Sequence, residues 1–249
     1  PAPRPDKNDP VPDNLKWDLW LGVVSERPFI GGGYYHPGNW RKRLDFGTGT
    51  FGDMGCHIYD PVFKALGVTA PLTVRSEGPK PNAHNWANDA IVHYVFPGTP
   101  FTDGKTVKVV WYDGSQRPPA EIIALLGKVK QPDQGSIFIG NKGVMVLPHV
   151  GKPILSPEEN FKDFAFPKLD PVNHWHSFVE AVRGNGRTSA NFDYAGPLTE
   201  TILLGGIASR FPQTTLEWDA KSMKFKNLKE ANQFVRRTYR KSWEVKGLS

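Results

Sequence analysis

Apolar positions first gather into a helical pattern over residues 52–66, where Met54, Ile58, Val62 and Leu66 recur every fourth residue and predict a core-facing stripe. Gly67 follows directly, in the place where a left-handed glycine ends a helix. The adjacent stripe, Asp53, His57, Asp60 and Lys64, is polar and is expected to face a cleft or solvent. After this helix the texture changes to short β-branched and aromatic runs bounded by turn residues, which predict strands over 72–77, 89–96, 107–112, 136–139 and 144–147. Asn141-Lys142-Gly143 reads as a hairpin between the last two. Helices are expected over 173–183, with Trp175, Phe178, Val179 and Val182 on one side, and over about 195–211, then a short strand near 223–225. Consecutive strands without long helical crossovers predict an α+β (α/β) fold, an open, largely antiparallel mixed sheet with helices packed on one face.

Composition refines this picture. With 249 residues and 39% hydrophobic content the chain can bury a substantial core, and its length demands no more than one domain. Pro1, Pro3, Pro5, Pro10 and Pro12 exclude helix and central strand from residues 1–14, which read as a linker or wrapped extended arm ahead of a unit spanning 15–249. The start at Pro1 reads as a processed or trimmed end. Net charge is +6, and most of it lies in residues 221–246, where nine Lys or Arg face two Glu. This basic tail reads as a solvated face, so neither nucleic acid nor a membrane is expected as a partner. No apolar run is long enough to span a bilayer, and no signal peptide pattern is present. The single cysteine, Cys56, excludes an intrachain disulfide, leaves the compartment open between cytoplasm and periplasm, and reads as a small buried hydrophobe.

The chemistry centres on Asp53 and His57. Four apart on one helix face, they resemble a general base and the carboxylate that orients it: an imidazole titrates near neutral pH, and a neighbouring acid stabilises the imidazolium. A buried histidine held by a helical carboxylate for purely structural reasons accounts for the same spacing. Tyr35, His36, Trp40 and Arg41 are candidate substrate contacts, the aromatics as flat faces for a ring, Arg41 and His36 as partners for hydroxyl oxygens; packing or loop anchoring is the alternative for each. Trp17 and Trp20 read as packing residues. His174 and His176 are two apart and lack a completing ligand, so no metal site is expected. Gly31-Gly32-Gly33 lacks the Lys-Ser/Thr of a phosphate loop, and no Gly-x-Gly-x-x-Gly joins a strand to a helix, so no cofactor-binding residues are expected in this chain.

The run Gly49-Thr50-Phe51-Gly52-Asp53-Met54-Gly55-Cys56-His57-Ile58-Tyr59-Asp60 resembles the substrate-domain signature of the glucose-fructose oxidoreductase and inositol dehydrogenase (Gfo/Idh/MocA) family, in a bacterial branch. The likeness extends to Trp17-Asp18-Leu19-Trp20-Leu21-Gly22, Tyr35-His36-Pro37, Trp40-Arg41 and Asp45-Phe46-Gly47, and downstream to Asn173-His174-Trp175, Asn191-Phe192-Asp193 and Leu198-Thr199-Glu200. It implies the C-terminal substrate-binding and oligomerisation domain of an NAD or NADP-dependent enzyme acting on a sugar or polyol, with Asp53 and His57 as catalytic carboxylate and histidine and Asp60 as structural support. It also implies an N-terminal dinucleotide-binding domain carrying the catalytic lysine of a Glu-Lys-Pro motif, which has no counterpart here, so this chain alone is expected to bind no dinucleotide and to be inactive. A homo-oligomer through the sheet face is the implied assembly. Two other readings stay open: a free-standing carbohydrate-binding or scaffold domain, and a redox-assisted lyase or glycosidase using the same residues.

Overall fold

The computed structural model describes residues 4–247, so the first three residues of the proline-rich arm and the last two of the chain lie outside the described residues. The predicted helix is α2 (Gly49–Leu66), flanked upstream by a short α1 (Trp17–Leu21). Gly67 ends α2 in the left-handed conformation, φ 62°, its N–H donating to the Phe63 carbonyl at 2.9 Å. Five strands, β1 (Thr73–Glu77), β2 (Ile91–Pro97), β3 (Thr106–Tyr112), β7 (Thr215–Asp219) and β8 (Lys224–Phe225), form an antiparallel sheet in the order β3-β2-β1-β7-β8. A second, three-stranded sheet holds β4 (Gly135–Gly140), β5 (Gly143–Pro148) and β6 (Ile154–Ser156). The single expected sheet is therefore two, and β4 and β5 meet at the predicted hairpin, Gly140 opposite Gly143. Three further α-helices, α3 (Ala120–Ala124), α4 (His174–Val182) and α5 (Phe192–Ala208), and three short 3-10 helices, Asn39–Lys42, Glu158–Phe161 and Lys229–Phe234, complete the described order.

Alternation along the strands decides the main core. Val74, Val92, Tyr94, Phe96, Trp111, Leu216 and Trp218 turn to one face and are buried there with Phe51, Tyr59 and Phe63 of α2 and Leu198 and Ile202 of α5. Each large side chain so buried is worth roughly 1.5–3 kcal/mol. The buried stripe of α2 is thus Phe51, Gly55, Tyr59, Val62 and Phe63, while Met54, Ile58 and Leu66 flank it half-buried. A fourfold repeat drifts by about 40° per step on a 3.6-residue helix, so Met54, Ile58 and Leu66 run along the edge of the contact rather than through its centre. The second sheet has its own small core of Leu126, Val144 and Val146.

The basic tail is not only a solvated face. The Arg240 side chain, 8% exposed, donates to the Asp18 carboxylate and to the carbonyls of Asp18 at 3.1 Å and of Gly22 at 2.9 Å, the latter just past the last residue of α1. The α4 side with Trp175, Phe178, Val179 and Val182 does lie along one face, but that face meets solvent: their exposures run from 44% to 76%. Among the described residues, no helix is long and apolar enough to cross a membrane.

Gly205 shows how closely α5 approaches the rest of the core. A Cβ built there would lie 2.2 Å from both the Phe51 ring and the Tyr94 hydroxyl. Gly205→Ala raises helix propensity yet is expected to destabilise the protein by about 1–3 kcal/mol through overpacking, read as a lower denaturant midpoint at unchanged slope; an equal or higher midpoint contradicts this packing.

Candidate functional site

The exposed side of α2 is where several elements converge. Phe51, Tyr59 and Phe63 fix the rotation of the helix by burying one side, so Asp53, His57 and Asp60 all emerge on the other and are exposed. Each is met by a different part of the chain. Asp53 accepts a hydrogen bond from Arg41 Nε at 2.9 Å, His57 faces the ring of His149 across 5.4 Å between centroids, and Asp60 is reached by the Tyr194 hydroxyl of α5 at 2.7 Å to Oδ1 and 2.9 Å to its carbonyl oxygen.

The expected hydrogen bond between Asp53 and His57 is not formed. Both side chains project to one side, as their spacing requires, but a guanidinium forms the stronger bond to a carboxylate, and Arg41 takes Asp53. Arg41 also lies over the half-buried Trp40 ring, 4.9 Å from its centroid, covering one face of the indole. His36 is exposed. Tyr35 departs from its expected role: it is 3% exposed and its ring packs against Trp17, Trp20, Tyr34 and Phe46, so its face is closed to a ligand. Trp17 and Trp20 stack on each other at 5.0 Å in the same cluster, as packing residues do. Cys56 is exposed, contrary to expectation, because it falls on the polar side of α2; its Sγ lies 3.7 Å from the Asp53 carbonyl oxygen.

His57 lines a shallow cleft of about 120 Å³ between α2 and the second sheet, with Ile58, Pro61, Ser136, Pro148 and His149 among its walls. Pro61, inside α2, has no N–H to give the His57 carbonyl, which loses its usual partner one turn on. Ser136 of β4 donates to the next carbonyl, that of Ile58, at 3.2 Å and ties the second sheet to the helix. Asp60 and its surroundings push the Tyr194 hydroxyl well above the ordinary phenol range, first by desolvation and then by the adjacent carboxylate. His149 and Ser136 were not anticipated, because Pro148-His149-Val150-Gly151 carries no spacing signal and its place beside α2 arises only from the fold of the hairpin.

Among the described residues, no three or more His, Cys, Asp or Glu side chains converge on a common metal position. Every described strand pairing is antiparallel, and the βαβ crossover with a glycine-rich turn that cradles a dinucleotide is absent from the described residues. The residues present therefore do not fit a nicotinamide dinucleotide by themselves. A family model described as the oxidoreductase family, C-terminal alpha/beta domain, matches residues 5–245. No curated protein matches the chain significantly.

Two hydroxyls separate packing from anchoring. The Tyr35 hydroxyl is buried without a partner, so Tyr35→Phe is expected to leave stability unchanged or raise it by up to about 1 kcal/mol, whereas Tyr194→Phe should lose about 1 kcal/mol with its bonds to Asp60. Unfolding midpoints of both variants check this, and a loss at Tyr35→Phe equal to that at Tyr194→Phe would contradict the assignment.

Proposed function

Since the chain belongs to the oxidoreductase family as its C-terminal α/β domain, we propose that it is the substrate domain of an NAD or NADP-dependent enzyme that acts on a sugar or polyol hydroxyl. The observation that carries the reading is the placement of His57: an exposed imidazole at a cleft, on the same helix face as a carboxylate, backed by a rigid aromatic core. A ring nitrogen of His57 accepts the hydroxyl proton. Asp53, one turn earlier and held at the surface by Arg41, supplies the negative charge that stabilises the resulting imidazolium. In such an enzyme a nicotinamide, held by a separate nucleotide-binding domain, would take up the hydride.

His36, Trp40 and Arg41 remain the proposed substrate contacts, with Arg41 able to share its five donors between Asp53 and a hydroxyl oxygen. We also propose self-association through the open face of the five-stranded sheet, where Ile91, His93 and Val95 alternate half-exposed along β2 and Val110 lies opposite His93.

In the protein that carries its nucleotide-binding domain, His57→Ala is expected to lower turnover by about 10²-fold or more at an unchanged unfolding midpoint; undiminished turnover removes the base role. For assembly, sedimentation should show a dimer or larger species that Val110→Lys converts to a monomer, and a monomeric parent protein ends that proposal.

A further inference from the structure

The cleft beside α2 holds a second imidazole, that of His149. His149 sits on the turn after β5, exposed, yet one residue holds it twice: its N–H donates to the Gln134 carbonyl at 2.9 Å, and its Nδ1 lies 3.0 Å from Gln134 Oε1. With the amide oxygen as acceptor, Nδ1 carries the proton, and Nε2 keeps its lone pair. A tautomer so fixed is the arrangement that aims an imidazole at a ligand.

We propose that His149 is a second substrate-binding residue of the cleft, accepting a hydrogen bond from a hydroxyl through Nε2, so that His57 and His149 engage neighbouring hydroxyls of one uncharged polyol. The inference rests on the reading of His57 as the proton acceptor and adds a partner to it. The two rings lie side by side, tilted by 40° with centroids 5.4 Å apart, and both line the same cleft, close enough for adjacent hydroxyls of one molecule to reach them from its open side. Other polar atoms of the cleft agree in sign. Pro61 withholds the donor that would occupy the His57 carbonyl, and the Ser136 hydroxyl spends its proton on Ile58, keeping its lone pairs. This wall is rich in acceptors and suits the hydroxyl donors of a polyol, whereas an ionised carboxylate group brings no donor of its own.

The test is a titration of the chain with myo-inositol and sorbitol, followed through the ring-nitrogen signals of the histidines by NMR, with gluconate as the acidic comparison. Expected are shifts at both His57 and His149, binding weakened about tenfold by His149→Phe, partial recovery in His149→Gln, and a weaker response to gluconate. Gln134→Leu, which removes the acceptor for Nδ1 but leaves the ring, is expected to weaken binding less than His149→Phe and serves if the latter fails to fold. Polyol binding that survives His149→Phe and Gln134→Leu but is lost in His57→Phe overturns the role of His149 and leaves the proton-acceptor reading standing. Indifference to both histidines overturns the two together. Absence of any polyol response, or a response of both rings to Zn²⁺ alone, overturns the inference in favour of a bare surface pair or a metal site.

Discussion

The rotation of α2 about its own axis governs the arrangement of the site. Phe51, Tyr59 and Phe63 interlock with Tyr94, Phe96 and Trp111 of the sheet through edge-on and tilted ring contacts, and Gly55 lets Ile202 of α5 come close on the same side. A helix locked in this way cannot turn by one residue without pulling aromatic rings from the core. The three polar side chains opposite are consequently fixed in azimuth, and Arg41, His149 and Tyr194, from three separate parts of the sequence, come to meet them. Chemistry on the outer face is thereby coupled to packing on the inner one.

Much of this was legible in the sequence. The strands alternate with the period of a half-buried sheet, the hairpin lies at Asn141-Lys142, and Gly67 ends α2 as its position foretold. The exposure of Asp53, His57 and Asp60 follows from the same periodicity. What the sequence concealed depends on contacts between distant segments. Gly55 has no side chain to mark the buried stripe, so the fourfold row of Met54, Ile58, Val62 and Leu66 drew attention to its edge and left Cys56 on the wrong side. Tyr35 looks identical as a ligand platform and as a core ring until Trp17, Trp20 and Phe46 close around it.

Asp53, too, is settled by a contact between distant segments. Spacing along a helix tells which side chains share a face, but a carboxylate there binds whichever donor offers the larger charge, and Arg41 arrives from a turn no local pattern connects to α2. Arg240 makes the point for the tail: its charge, counted with its neighbours, reads as surface, while its geometry makes it the cap of α1 more than 200 residues away in the chain. Composition measures how much charge a segment has and is silent on where it is used.

Finally, the two walls of the cleft belong to different packing units. His57 rides on the helix of the large aromatic core, and His149 on a sheet with a separate core of only a few aliphatic side chains. The Ser136 hydroxyl is the polar stitch described between them. The gap between the imidazoles is therefore fixed where the small sheet meets the helix, at a junction made by that one hydroxyl and the side chains of Ile58, Pro61, Leu147 and Pro148.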